Sequence, residues 1–338
     1  LSGGTGAEPV TPTNVNVLRE TTFGSSDIRP VRAGNSTILI QKGGERVKEI
    51  TFDLDTDGLL GVDLTILAEH VASGGLTDMV WQQEPELILW FVHSDGTLVG
   101  LTYDRANGAV GWHQHPLGDS GVVESITAIP SGAEDQVYMS VKRTINSSTV
   151  RHICYLKPID FGTDIEDAFF VDSGLTYTGS DTTSITGLNH LEGETVQILA
   201  DGSTHPDKTV SGGKITLDRN AGKVHVGYNY NSLVQTLRLE AGGDDGVSQG
   251  KIKRIHGVTV RFLNSLGAEI GPDTSNLDRI PFRDSSMAMD AAVPVFTGDK
   301  EISFPSGYDN DAHVVVQQSQ PLPMTILAIM RRSNTFDA

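Results

Sequence analysis

Three aspartates at alternate positions are the first residues whose spacing could support chemistry. Asp53, Asp55 and Asp57 lead into Gly58, as at the start of a calcium-binding loop. Oxygen ligands spaced in this way converge on a hard cation, and the glycine allows the sharp turn. The closing glutamate of such a loop would stand at position 64, which is leucine, and Asp63 lies one place early. We therefore interpret the run as an acidic turn, with calcium binding as the alternative.

His113 and His115 form a second candidate, since they flank a single glutamine. If residues 109–115 form a strand, the two imidazoles share one face and could bind a metal together. The sequence shows no third ligand nearby. We expect histidines at a surface or an interface, with a metal pair as the alternative.

A glycosidase would need a different set of residues. The run Ser94-Asp95-Gly96-Thr97 is similar to a sialidase Asp-box turn but lacks its Ser-x-Asp-x-Gly spacing. A sialidase also needs clustered arginines, and Arg105, Arg143 and Arg151 are not obviously close together. Glycosidases use two carboxylates about 5–9 Å apart. Among 43 acidic residues some pair would always meet this distance, so the criterion does not point to a glycosidase.

Motifs of other enzyme classes are missing. The sequence has no Gly-x-Ser-x-Gly elbow, no phosphate-binding Gly-x-x-x-x-Gly-Lys loop and no His-Glu-x-x-His motif. Its one cysteine, Cys154, can build neither a disulfide framework nor a cysteine-based zinc site. We predict that the protein is not an enzyme, with no catalytic residue, no cofactor and no metal.

The charge balance limits the partners. The 338 residues carry a formal net charge of −18, with a pI near 4.8, which argues against gripping nucleic-acid phosphates. The one basic cluster, residues 251–254, would alternate faces on a strand, so we interpret it as a sheet edge or a partner contact. The longest apolar runs, residues 87–92 and 324–330, fall far short of the ~20 residues that span a bilayer. A chain that begins at Leu1 rather than Met is expected to be processed or a fragment.

Among the elements that would position these residues, a hairpin recurs three times. Each copy is a strand, a tight polar turn and a strand, over residues 36–52, 87–103 and 136–155. Further strands are predicted at residues 77–83, 109–115 and 124–129, which gives about four strands in each period of about 50 residues. This is typical of β-propeller blades. Trp90 and Trp112 are expected to pack between blades.

Three blades do not close a propeller, which typically needs four to eight. Either upstream sequence or other subunits would supply the rest. Residues 14–22 resemble an outer strand of an earlier blade, which favours upstream sequence.

The texture changes near residue 158. Residues 158–207 contain ten acidic residues and no lysine or arginine.

Two short helices are predicted, at residues 64–71 and 164–170. Short strands at residues 195–200, 208–210, 214–217, 223–228 and 232–239 suggest a small barrel. After a glycine-rich break at 241–246, a long strand at 251–263 is expected to pair with residues 300–304, 312–317 and 324–330.

The predicted fold is therefore mostly β, in three segments. Residues 1–158 form incomplete propeller blades, 159–240 an acidic linker and small barrel, and 241–338 an antiparallel sandwich.

Scattered motifs along nearly the whole chain resemble one family. One is Gly74-Gly-Leu-Thr-Asp-Met-Val-Trp-Gln-Gln-Glu-Pro85. Others lie at residues 20–30, 41–49, 64–70, 168–172, 188–193, 199–202, 294–300 and 320–330. Together they look like the tail nozzle proteins, or tail tubular B proteins, of short-tailed bacteriophages and prophages.

The resemblance implies a structural virion protein in the phage tail. It implies a homohexameric ring below the portal and adaptor, tail fibre or spike proteins as further partners, and a longer parent whose first part is missing here. DNA would pass through the ring without sequence-specific binding, and acidic segment 160–207 is the candidate lining, since carboxylates repel phosphates. The alternative is a glycan-binding propeller module for receptor recognition, which exposed, clustered tryptophans and tyrosines would favour. A glycoside hydrolase ranks third.

Overall fold

The computed structural model describes residues 2–3, 11–16, 21–55, 57–240, 242–243, 246–289, 291–304 and 307–336. The chain is mostly β, in small antiparallel sheets, as predicted. It divides into two compact units. Unit 1 comprises Leu1–Leu117, Gly121–Arg143 and Arg151–Leu156, and unit 2 comprises Gly118–Ser120, Thr144–Val150 and Lys157–Ala338. In the part of the chain described, no helix is long and apolar enough to cross a membrane.

Unit 1 begins with two short paired strands and a four-stranded meander. The short strands are β1 (Ser2–Gly3) and β2 (Val15–Asn16); residues 17–20 of the predicted outer strand lie outside the described residues. The meander, sheet 1, has the order β3-β4-β5-β6. Its strands are β3 (Val31–Ala33), β4 (Ser36–Ile40), β5 (Val47–Asp53) and β6 (Gly58–Asp63).

Two further sheets follow the helix α1 (Glu69–Ala72). Sheet 2 is a second four-stranded meander, and sheet 3 has three strands rather than four. All three predicted hairpins are confirmed. The strands are β7 (Leu76–Gln82), β8 (Ile88–His93), β9 (Leu98–Asp104), β10 (Ala109–His115), β11 (Val122–Ser131), β12 (Glu134–Ile145) and β13 (Ser148–Tyr155).

Sheet 2 is buried on both faces. Alternate side chains of β8 point to opposite sides. Leu89 and Phe91 lie in a core shared with Ile38 and Ile40 of sheet 1. Their neighbours on β8, together with Leu98, lie in a second core with residues of sheet 3, namely Val123, Ile126, Val137, Met139 and Val141. The sheets therefore stack face to face, and this explains the uninterrupted apolar run at residues 87–92.

Two tryptophans pack between sheets, and the prediction that these sheets are propeller blades stays a prediction. Trp90 belongs to the core between sheets 2 and 3. Trp112 packs against the core between sheets 1 and 2 and donates its indole N–H to the Leu64 carbonyl at 2.8 Å.

Unit 2 contains one four-stranded open sheet rather than a barrel. Sheet 4 has the order β14-β17-β15-β16 and is not closed, so the barrel prediction is wrong. The predicted strands 214–217 and 223–228 are one strand, since a register irregularity bends it instead of ending it. The strands are β14 (Asp172–Thr186), β15 (Thr195–Ala200), β16 (Ser203–Thr209) and β17 (Lys214–Tyr228).

The rest of unit 2 forms two sheets around one core. Sheet 5 has the order β18-β25-β22-β23 and sheet 6 the order β24-β21-β26. Val258 and Phe262 of β21 share a core with Ile270 and Val316 of sheet 5, as expected of a sandwich. The strands are β18 (Ser232–Gln235), β19 (Gly242–Gly243), β20 (Gly246–Val247), β21 (Ile252–Ser265), β22 (Ala268–Asp273), β23 (Asn276–Ile280), β24 (Phe296–Ser303), β25 (Val315–Gln318) and β26 (Ile326–Phe336).

Two predicted details of this region change. β24 and β26 pair with β21 as expected, but β25 pairs with β18 and β22 in the opposite sheet. The core also includes Ile165 and Leu199, which belong to the predicted segment 159–240. The three-segment boundaries themselves stay a prediction.

The predicted helices are much shorter than expected. Of residues 64–71 only the last turn is helical, as α1, because the Leu64 N–H bonds to the Val47 carbonyl and continues the sheet. Residues 164–170 form a single 3-10 turn, Ile165–Asp167. Two further 3-10 turns lie at Gly118–Ser120 and Asn189–Leu191.

Candidate functional site

The acidic run at residues 53–58 is the turn between two strands. β5 ends at Asp53 and β6 begins at Gly58, and Asp57 has a positive φ of 45°. Among the described residues, which leave out Thr56, no three histidine, cysteine or acidic side chains are placed to hold a metal ion. The interpretation of the run as a turn is therefore confirmed in its backbone.

Asp63 has other partners than a cation. Its carboxylate accepts hydrogen bonds from the Thr65 N–H at 2.9 Å and the Thr65 hydroxyl at 2.6 Å. It also pairs with Lys48 Nζ at 2.9 Å and Arg46 Nη1 at 3.0 Å. Burial acts to raise the pKa of Asp63, but the bonds from Thr65, Lys48 and Arg46 outweigh it and hold the pKa well below its usual range. The carboxylate therefore fixes the end of sheet 1.

The two histidines do share one face of β10. His113 Nδ1 lies 2.6 Å from His115 Nε2, and both rings pack against Trp90, with centroid distances of 5.8 and 5.0 Å. Both are half-buried. Burial lowers the pKa of His113, and burial followed by the charge of His113 lowers that of His115 to about 4. The shared face is therefore as expected, and a surface or interface role for the two histidines stays a prediction.

The sialidase-like features separate in the structure. Asp95 accepts the Thr97 N–H at 2.8 Å within the β8–β9 turn. Arg151 makes a two-bond pair with Glu124, at 2.7 and 3.0 Å, whereas Arg105 pairs with the buried Glu49 of sheet 1. Arg105 thus connects sheet 2 to sheet 1, and Arg151 pairs within sheet 3, so these two arginines do not converge on a common carboxylate site.

The acidic segment splits into two groups by contact. Several carboxylates hold the backbone of unit 2. Glu192 accepts the N–H groups of Gly212 and Gly213 at 2.9 and 2.7 Å, and Asp201 accepts those of Gly222 and Lys223 at 3.0 and 2.9 Å. A second group is exposed at the surface: Asp164, Glu166, Asp181 and Asp207.

The basic cluster does not form a patch. Lys253 is buried and donates to the Asn310 carbonyl at 2.7 Å. Arg254 points outward, with its guanidinium 5.6 Å from the Tyr308 ring centroid. The prediction that these charges alternate faces is confirmed.

Sequence reasoning missed the apolar outer faces of the stack. On the side of sheet 1 facing away from sheet 2, Phe52 is 59% and Leu59 41% exposed, and Phe23 lies over Gly61. On the side of sheet 3 facing away from sheet 2, Ile153 is 74% and Tyr155 43% exposed. The sequence does contain a signal for these faces, because apolar residues stand at both odd and even positions of β5 and β13. Exposed apolar faces of this kind mark interaction surfaces.

The tryptophans offer no platform for a sugar ring. Trp90 is buried, and Trp81 and Trp112 pack against the core of sheets 1 and 2. Trp81 also stacks edge-to-face on Tyr103 at 6.2 Å. In unit 2, a cavity of about 320 Å³ is lined by Glu269, Arg279, Arg283 and Gln318 among others.

The polar groups of that cavity mostly bind one another. Gln318 donates to the carbonyls of Leu266 and Gly267 at 2.7 and 2.8 Å. Arg283 donates to the Ala291 carbonyl at 2.8 Å, and Arg279 lies 3.6 Å from Glu269.

Comparison with known proteins adds no relative. A scan against protein-family models finds no match, and a search of curated proteins finds none.

Proposed function

We propose that the chain is a structural protein of a phage virion, part of a ring-shaped tail nozzle that holds and conducts DNA. The observation that carries the proposal is the stack of sheets 1, 2 and 3. Its middle sheet is buried on both faces, while both end faces carry exposed apolar side chains. A stack of this kind is extended by further blades or by other subunits.

The charge supports the same proposal. With a net charge of −18, the protein would repel phosphates, so DNA would move past it without being gripped. The proposed channel lining consists of four exposed carboxylates, those of Asp164, Glu166, Asp181 and Asp207. Copies of the chain, the tail adaptor and fibre or spike proteins are the proposed partners, and the tail of the virion is the proposed location.

A glycan-binding module has less support. Its recognition surface would rest on exposed aromatic rings, and the three tryptophans of the chain pack in cores. The feature in its favour is the half-exposed pair of Tyr138 and Tyr155 on sheet 3, with ring centroids 5.8 Å apart.

The test is the mass of the particle in solution. Sedimentation equilibrium from about 1 to 100 µM, a range in which specific subunit contacts associate, should show closed assemblies of about six chains. Electron micrographs of the same samples should show rings. Phe52→Glu and Ile153→Glu each add one negative charge to an outer face of the stack and should abolish assembly. Thr216→Glu, at an exposed position of β17 in unit 2, adds the same charge away from these faces and serves as the control. A monomer over the whole range would count against a self-assembling ring.

A further inference from the structure

The inference concerns the paired histidines of β10, which the proposed function does not use. β10 is an edge strand, since sheet 2 has the order β10-β9-β8-β7. His113 lies opposite Gly100 and His115 opposite Leu98 of β9. The space for the first imidazole exists because residue 100 has no side chain: a Cβ there would lie 2.1 Å from His113 Cε1. Gly100 therefore leaves the space that this ring occupies, which we call its seat.

The pair is part of a chain of polar contacts. His113 Nε2 lies 3.3 Å from the Thr102 hydroxyl. Trp90, against which both imidazoles pack, donates its indole N–H to Gln82 Oε1 at 2.8 Å. The Gln82 amide in turn donates to the Asp135 carbonyl of sheet 3 at 3.1 Å. The histidines thus touch Trp90, whose hydrogen bond leads through Gln82 to sheet 3.

The contact between the imidazoles depends on their protonation. At 2.6 Å, one ring nitrogen donates and the other accepts, which requires at least one neutral ring. A second proton would leave two donors facing each other and two like charges in a half-buried site.

Among the described residues, no carboxylate lies close enough to offset that charge. The titratable and charged groups of the described structure on this side of the packed strands include Asp78 of β7, Asp104 at the end of β9, and Arg143, His152 and Cys154 of sheet 3. Asp104 is bound to Asn107 and Asp78 to the Ile126 N–H.

We propose that His113 and His115 form a pH-sensitive latch: the neutral pair holds the edge strand β10 against Trp90, and protonation of the pair releases it. Burial, the main cause of the lowered pKa values of both rings, places this release in the acidic range. The two rings titrate as a coupled pair, so the release belongs to the pair and not to one residue. A metal ion in place of the shared proton would have two nitrogen ligands here, and no third ligand is placed beside them in the described structure.

The experiment is hydrogen exchange by mass spectrometry on the whole chain from pH 7 to pH 4, corrected for the intrinsic rate. We expect protection of residues 109–115 to fall at least about tenfold over this range, while residues 214–228 of β17 keep theirs. The double variant His113→Gln, His115→Gln cannot take up the protons and should lose the pH dependence. His70→Gln, which changes an exposed histidine on α1, should retain it.

Two results would overturn the latch. One is protection of β10 that does not change with pH in the unmodified chain. The other is the same transition in the double glutamine variant.

If the double glutamine variant does not fold, direct titration of the two histidines tests the proposal. In ¹⁵N-histidine spectra of the unmodified chain, we expect signals from two rings that share one N–H proton. Both rings should titrate below pH 6.5, the ordinary pKa of histidine. Two independent rings titrating at or above 6.5 would contradict the proposal. Neither result bears on assembly into rings, so the latch and the nozzle fail separately.

Discussion

Leu89 and Trp90 are neighbours on β8, yet they belong to different hydrophobic cores. Leu89 is fully buried between sheets 1 and 2, and Trp90 is buried between sheets 2 and 3. Successive side chains of a strand point to opposite faces, so one residue step connects the two interfaces of the stack. The middle sheet is thus the element on which the order of unit 1 depends.

We predict that Leu89→Ala lowers the free energy of unfolding by about 3 kcal/mol, because it removes buried methyl groups and leaves a cavity. Val110→Ala, at a position on β10 that is 47% exposed, should change it by less than about 0.5 kcal/mol. Urea unfolding followed by circular dichroism measures both. Equal effects would mean that the two-sided burial of β8 does not control stability.

The carboxylate of Asp63 gives a pH-dependent prediction. Its pKa is lowered in the folded chain, so its contribution is present above its ordinary pKa of 3.8 and is lost as the pH falls through the folded value. Asp63→Asn should cost about 2 kcal/mol at pH 7, since it leaves the buried Lys48 ammonium without its carboxylate.

Below pH 3 the difference between Asp63→Asn and the unmodified chain should shrink. Unfolding in urea at pH 7 and at pH 2.5 compares them, with Asp55→Asn in the exposed turn as the matched control. A constant difference across this range would show that the ion pairs of Asp63 do not carry the effect.

Much of unit 1 follows from local sequence rules, and much of unit 2 does not. Asp95-Gly96 and Asn107-Gly108 predict their hairpins because the glycines adopt positive φ, 89° and 71°. β14 escaped prediction because it is rich in glycine, serine and threonine, with little apolar alternation. β17 was divided because Asp218, Arg219 and Asn220 are polar although they continue the strand. Pairing across the sheet, which the local pattern does not encode, holds both strands together.

The candidate sites show the same division. The shared face of His113 and His115 follows from their spacing on a strand. Their seat on Gly100 and Trp90 depends on strands β9 and β8, which are brought alongside only by the fold. Likewise, the sequence lists Asp201 and Asp207 as equivalent acids, but only the fold shows that the first binds backbone and the second is exposed.

Charge reversal should separate these two kinds of acid. We expect the fourfold variant Asp164→Lys, Glu166→Lys, Asp181→Lys and Asp207→Lys to fold as the unmodified chain does. It should retain duplex DNA on a filter at low salt, with binding that weakens steeply as salt rises. The unmodified chain should retain none. Virions carrying the variant should eject DNA more slowly, and unchanged ejection would argue against this segment as the lining.

Glu192 is the matched contrast within the same segment. Hydrogen bonds from Gly213 and Gly212 lower its pKa, so its contribution is present above its ordinary pKa and disappears as the pH falls through the folded value. Glu192→Gln should therefore lower the melting temperature at pH 7 without creating DNA retention. Retention by Glu192→Gln alone would show that loss of any acid suffices.

The seat of His113 provides the last prediction. Gly100→Ala places a Cβ within 2.1 Å of His113 Cε1, so the imidazole must leave its position against Trp90. We expect the free energy of unfolding to fall by about 1–3 kcal/mol, the usual range for overpacking. Gly111→Ala on β10 is the control, since a Cβ there meets no atom within 4 Å. If the clash is with the imidazole, His113→Ala should remove most of the cost, and the double-mutant cycle should give a coupling of about 1 kcal/mol or more. Additive effects of the two changes would place the clash elsewhere, and the histidine pair would then not depend on the glycine beneath it.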